Sequence, residues 1–211
     1  MVAYIIEENR KIFDLLKNML KGRERYIFFQ GNAKFSDDIG NYIDSNEVLI
    51  FKSICPDELL ECDADIKINA NNKNDEKIDL VVFGDFGDIL EKHNFYDAKT
   101  FLLSTENMSR FKNIDFGTSQ VITCGLREKD TIIFSSIDLD EGSVMLDLQR
   151  SIINVRGEIV EAFEKKIVID SEIITESNSD SESELIEATL FALAILLYSG
   201  RLAKTFCNKS G

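Results

Sequence analysis

The apolar segments of this chain follow one rule up to Gly125 and another after it, and few folds accommodate both. Between residues 26 and 124, short apolar runs alternate with segments of helical spacing or polar composition. The runs are Tyr26 to Phe29, Val48 to Phe51, Ile78 to Phe83, Thr100 to Leu103 and Gln120 to Thr123. Continuous apolar runs read as strands buried on both faces, which a mostly parallel sheet covered by helices requires. After Gly125 the strands follow one another directly. Thr131 to Ile137 has no helix behind it, and turns at Asp140 to Ser143 and at Arg156 to Glu158 separate two further runs. In Val144 to Arg150, Val144, Leu146 and Leu148 share one face, and Ile159 to Ile169 forms the last strand region. This is the pattern of an antiparallel meander.

Helical spacing occurs in residues 5–21, where Ile5, Ile12, Leu15, Leu16, Met19 and Leu20 recur at helical steps and Gly22 is a natural stop. Asp37 to Ile43, residues 86–94 and residues 105–112 read as shorter helices, and Pro56-Asp57-Glu58 suits the first turn of another. Residues 69–77 form a polar loop. Residues 175–184 are a polar, low-complexity stretch expected to be mobile. The final helix, Ser183 to Ala203, is apolar on most faces and is expected to lie deep against the sheet. The expected fold is one α/β domain over 1–211: a mostly parallel sheet flanked by helices, followed by an antiparallel β-meander and a C-terminal buried helix. Its parts are an alternating strand/helix portion (1–125), the meander (126–170), a polar link (171–184) and the helix (185–205).

The 211 residues are 44% apolar, enough for one core without staples. Thirty-eight acids against 24 bases give a net charge of −14. That disfavours a nucleic-acid partner and docking on anionic membrane, since both depend on clustered Lys and Arg. Its simplest role is solubility. The start lacks a basic segment followed by a long apolar one, and the longest apolar run, Ala188 to Tyr198, is too short to span a bilayer. A cytoplasmic location is expected. Cys55, Cys62, Cys124 and Cys207 form no C-x-x-C pair, and His93 is the single histidine, so no metal site and no cofactor is expected. The unidentified partner is a small molecule or a protein, and homo-oligomerisation stays open.

Gly31 follows a strand and Lys34 lies three residues on, a faint echo of a phosphate-binding loop. Such a loop needs glycines to wrap its amides around phosphate, a lysine, and then Ser or Thr. Here the second glycine is missing and Phe35 follows the lysine, so an ordinary turn is the weightier reading. Phe83-Gly84-Asp85-Phe86-Gly87-Asp88 ends a strand, the place where open α/β sheets bind ligands. Gly84 would let a ligand approach, and Asp85 and Asp88 would hold a metal or a ribose. The plainer alternative is a turn with Asp88 as a helix cap. Cys124 reads as a buried structural thiol, His93 as a helix C-terminal residue, and Asp138, Asp140 and Glu141 as turn residues.

Three stretches together carry a family resemblance. They are Thr100-Phe-Leu-Leu-Ser-Thr-Glu-Asn-Met, Gln120-Val-Ile-Thr-Cys-Gly-Leu and Thr131-Ile-Ile-Phe-Ser-Ser-Ile, followed by the helix Glu187-Ala-Thr-Leu-Phe-Ala-Leu-Ala-Ile. This order, over about residues 78–203, resembles the end of the central ATP-binding domain of the Mur ligases. The resemblance implies that Ser104-Thr105-Glu106-Asn107 stands where the family has an acidic segment, with Glu106 its only carboxylate. The family's loop ending in Gly-Lys-Thr is not supplied by residues 31–36, its magnesium-holding Glu and His have no counterpart motif, and its third domain has no room here. The resemblance therefore implies a reduced relative: a non-catalytic scaffold binding a small molecule or protein. The alternative is an enzyme of ligase-like descent using Gly84 to Asp88 with Glu106 on a nucleotide or an amino-acid or cell-wall precursor. A third reading is an assembly protein that pairs through the edge of its meander.

Overall fold

The computed structural model describes residues 1–7, 9–21, 26–30, 49–54, 78–84, 98–106, 111, 116–138, 141–169 and 181–203. The helices expected at 37–43, after Pro56 and at 86–94 lie outside these residues, as do the loop at 69–77, His93, and Cys55, Cys62 and Cys207. The chain divides into two compact units. The first comprises Met1–Arg10, Glu24–Leu103 and Asn107–Val121, and the second Lys11–Arg23, Ser104–Glu106 and Ile122–Gly211.

The first unit is built on parallel strands: β1 (Val2–Ile6), β2 (Tyr26–Gln30), β3 (Leu49–Ile54), β4 (Leu80–Phe83) and β5 (Thr100–Ser104, ending at the unit's border). Their order is β5-β4-β1-β3-β2, and every neighbouring pair is parallel. Every residue of β4 and β5 is buried, which is why these runs lack polar alternation. One expectation is corrected. Val2–Ile6 is a strand, not part of a helix over 5–21, and the helix begins at Lys11. Ile5 stands seven positions before Ile12 and so matches two helical turns by spacing alone. Its neighbours Val2 and Ile6, stiff at χ1, favour the pleated surface instead. The core of this unit is aromatic. Phe83 stacks on Phe101 with ring centres 6.2 Å apart and meets Phe111 edge-on at 5.3 Å, while Phe101 meets Phe116 at 4.9 Å.

The second unit opens with α1 (Lys11–Leu20), whose buried stripe is Ile12, Phe13, Leu15, Leu16, Met19 and Leu20. It then takes most of β6 (Gln120–Gly125), β7 (Ile132–Asp138), β8 (Ser143–Leu148), β9 (Ile152–Ile153), β10 (Ile159–Val160), β11 (Phe163–Val168) and α2 (Glu182–Tyr198). The strand order is β11-β8-β7-β6, with β9 and β10 in a separate two-stranded ladder. β7 pairs antiparallel with β8, and β8 with β11, as expected of a meander. The meander begins at β7, and β7 itself runs parallel to β6. Parallel neighbours ordinarily need a long crossover. Here the connection is short and only two residue pairs align, Cys124 with Ile132 and Gly125 with Ile133. The connection between them contains a tight turn, in which Asp130 N donates to Arg127 O at 2.9 Å. The region read as one strand from Ile159 is also split into β10 and β11.

Every residue of α2 from Ala188 to Tyr198 is buried, as its composition predicted. The helix starts inside the stretch read as a polar link. Ser181 is its N-cap and accepts a hydrogen bond from Glu184 N at 3.3 Å, while the Glu184 carboxylate bonds back to the Ser181 backbone. This reciprocal pair is a capping box, Ser-x-x-Glu. At the other end Gly200 N donates to Leu197 O and Arg201 N to Leu196 O, with Gly200 at φ +71°. That is a Schellman stop, which needs a left-handed residue. No helix among the described residues is long and apolar enough to cross a membrane. The architecture is thus α/β: a mostly parallel sheet, an antiparallel meander after it, and a buried C-terminal helix.

Candidate functional site

In the first unit the strand order reverses between β1 and β4. From β1 the chain passes beyond β3 to β2, whereas from β4 it moves the opposite way to β5. A crevice opens at such a switch point, beyond the carboxyl ends of the two strands. Glu7 follows β1 there and is only 3% exposed. Gly84 follows β4, is buried, and donates its N–H to Ile6 O at 3.0 Å, extending the β1–β4 pairing by one step. Arg10, at the end of the same loop, has φ +54°, a conformation ordinarily left to glycine.

The order β1, loop, α1 is the arrangement in which a phosphate-binding loop occurs: a strand, a glycine-rich turn, and a lysine at the mouth of a helix. This loop holds Glu7, Glu8, Asn9 and Arg10, with no glycine. The next residue, Lys11, opens α1, and within the second unit its ammonium is ion-paired to Glu184. The hydrogen bond from Lys11 holds the Glu184 carboxyl below the usual range, with the Lys11 charge and the Ser181 bonds adding to it. Gly31 and Lys34, where the sequence shows a faint echo of such a loop, lie outside the described residues. The sequence signal for strand, loop and helix at this end is the apolar run Val2–Ile6, followed by Arg10-Lys11 and an amphipathic helix. Asp85 and Asp88 also lie outside the described residues, so of the candidate ligand-binding residues there Gly84 alone is placed.

A second polar cluster lies within the second unit. Asp130 is fully buried, and its Oδ2 accepts hydrogen bonds from Thr105 Oγ1 at 3.0 Å and from Arg127 N at 3.1 Å. Its Oδ1 has no hydrogen-bond partner. Gly125 makes room for the carboxylate: a Cβ there would stand 2.3 Å from Asp130 Oδ2 and 3.0 Å from Thr105 Oγ1. Thr123 and Thr131 add hydroxyl contacts to this turn, with Thr131 N donating to Thr123 Oγ1 at 2.9 Å. The clamp fixes Thr105, and the exposed Glu106 follows it directly. Burial pushes the neighbouring Cys124 thiol well above its ordinary value, and the Asp130 and Glu187 carboxylates push it further. Cys124 is therefore a protonated, unreactive thiol. Asp130 was missed because nothing in Arg127-Glu-Lys-Asp marks the one acid that folds inward.

Of the acids read as turn residues, Asp138 and Glu141 are described and Asp140 is not. Asp138 Oδ1 accepts from Glu141 N at 2.9 Å, and Glu141 pairs with Lys166 at 3.3 Å. Among the described residues, no group of three or more His, Cys, Asp or Glu side chains is arranged to hold a metal. The second unit also has an apolar cleft of about 280 Å³, counting solvent at its mouth, lined by Phe134, Ile137, Val144, Ile169, Leu185 and Ile186. That is below the ordinary range for small-molecule pockets, so it does not suit a nucleotide.

No protein-family model matches the chain, and no curated protein matches it. Among solved structures it is similar to MurF from Acinetobacter baumannii (crystal structure I), with a TM-score of 0.50 and 10% identity over 100% of this chain and 46% of that one. MurF ligase from Thermotoga maritima, solved in complex with ADP, gives a TM-score of 0.49 and 10% identity over 100% of this chain and 49% of that one. The chain spans about half the length of each of these proteins. At 10% identity the likeness is one of architecture, and the fold of this chain is distantly Mur-ligase-like.

Proposed function

We propose that this chain is a non-catalytic Mur-ligase-like scaffold whose ligand is a small molecule or a protein partner rather than a nucleoside triphosphate. The loop after β1 carries this reading. A phosphate-binding loop works by offering backbone amides and a lysine charge to an anion. Here the segment Glu7-Glu8-Asn9-Arg10 offers no glycine, and Lys11 is ion-paired to Glu184. The residues proposed to meet that ligand are Gly84, Asp85, Asp88, Gly31 and Lys34. The net charge of −14 supports a cytoplasmic molecule kept apart from nucleic acid and anionic membrane. Calorimetry with ATP and Mg²⁺ tests the reading. No heat of binding is expected, and tight, magnesium-dependent ATP binding would overturn it.

One observation favours the second reading, an enzyme acting on a nucleotide or an amino-acid or cell-wall precursor. Asp130 holds Thr105 in place, so the carboxylate-bearing segment ending in Glu106 is ordered at its root. A thermal-shift screen against cell-wall precursors, followed by Glu106→Ala and Asp85→Ala, separates the two readings. An enzyme loses turnover in these variants with its ligand still bound. A scaffold shows no turnover to lose.

A further inference from the structure

We draw no further inference here: the strongest candidate, the fully buried Asp130 carboxylate beneath the β6–β7 turn, whose Oδ1 has no hydrogen-bond partner, carries nothing because nothing in the structure shows what would reach that oxygen.

Discussion

Replacing Gly125 by alanine tests the Asp130 clamp directly. The added methyl carbon would lie 2.3 Å from Asp130 Oδ2, 3.0 Å from its Cγ and 3.0 Å from Thr105 Oγ1. No side chain tolerates a separation of 2.3 Å, so the carboxylate must move. It is fully buried and held by Thr105 Oγ1 and Arg127 N, so moving it breaks or bends both bonds. A hydrogen bond to a charged group contributes about 1.5–3 kcal/mol, and forcing an extra methyl into a packed site costs about 1–3 kcal/mol. Since the site relaxes in part, Gly125→Ala should destabilise the protein by roughly 3–5 kcal/mol. For a chain of this size that lowers Tm by roughly 10 °C. Urea unfolding followed by circular dichroism should show a lower midpoint with an unchanged slope. The double variant Gly125→Ala/Asp130→Ala supplies the control. With the carboxylate gone, the alanine at 125 should cost less than about 1 kcal/mol beyond Asp130→Ala alone, a coupling expected of groups in contact. If Gly125→Ala stays within about 0.5 kcal/mol of the parent, the ordinary range for an uncoupled surface change, the clamp does not exist as described.

Three further outcomes are expected. Glu184 titrates below its usual value of 4.5 when folded, so its contribution is full above the unfolded pKa and is lost as pH falls through the lower folded one. The stability difference between the parent and Glu184→Gln should therefore shrink as pH drops below about 4.5, and a difference independent of pH would refute the Lys11 pairing. Cys124 should resist alkylation in the native protein and react once the chain is unfolded, read by mass spectrometry of its peptide. Modification at the rate of a free thiol would contradict its burial. Gly200→Ala should cost about 1–2 kcal/mol in urea unfolding, because φ +71° is left-handed; a neutral result would argue against the Schellman stop.

Strands β2 to β8 were legible because each is an unbroken or alternating apolar run bounded by turn residues, and α2 was legible from its density of apolar side chains. β1 was hidden by a coincidence of spacing between Ile5 and Ile12. With β1 read as helix, the strand, loop, helix order over residues 2–20 was not legible either. Two-residue strands such as β9 and β10 carry no periodicity to detect. The parallel step from β6 to β7 depends on one turn hydrogen bond and two aligned pairs, which no local pattern encodes. Asp130 was invisible for the same reason. Its inward turn is permitted by a missing side chain at Gly125 and a hydroxyl from Thr105, both remote in sequence from the charge itself.

The packing of α1 against α2 has a consequence for synthesis of the chain. About 160 residues separate the two helices, which at 5–20 residues per second is a delay of roughly 10–30 s on the ribosome. Throughout that interval the greasy flank of α1, from Ile12 to Leu20, is without the helix that later shields it. A stalled or prematurely released polypeptide would keep that flank bare, so aborted products of this gene should be clients of chaperones and proteases rather than soluble fragments.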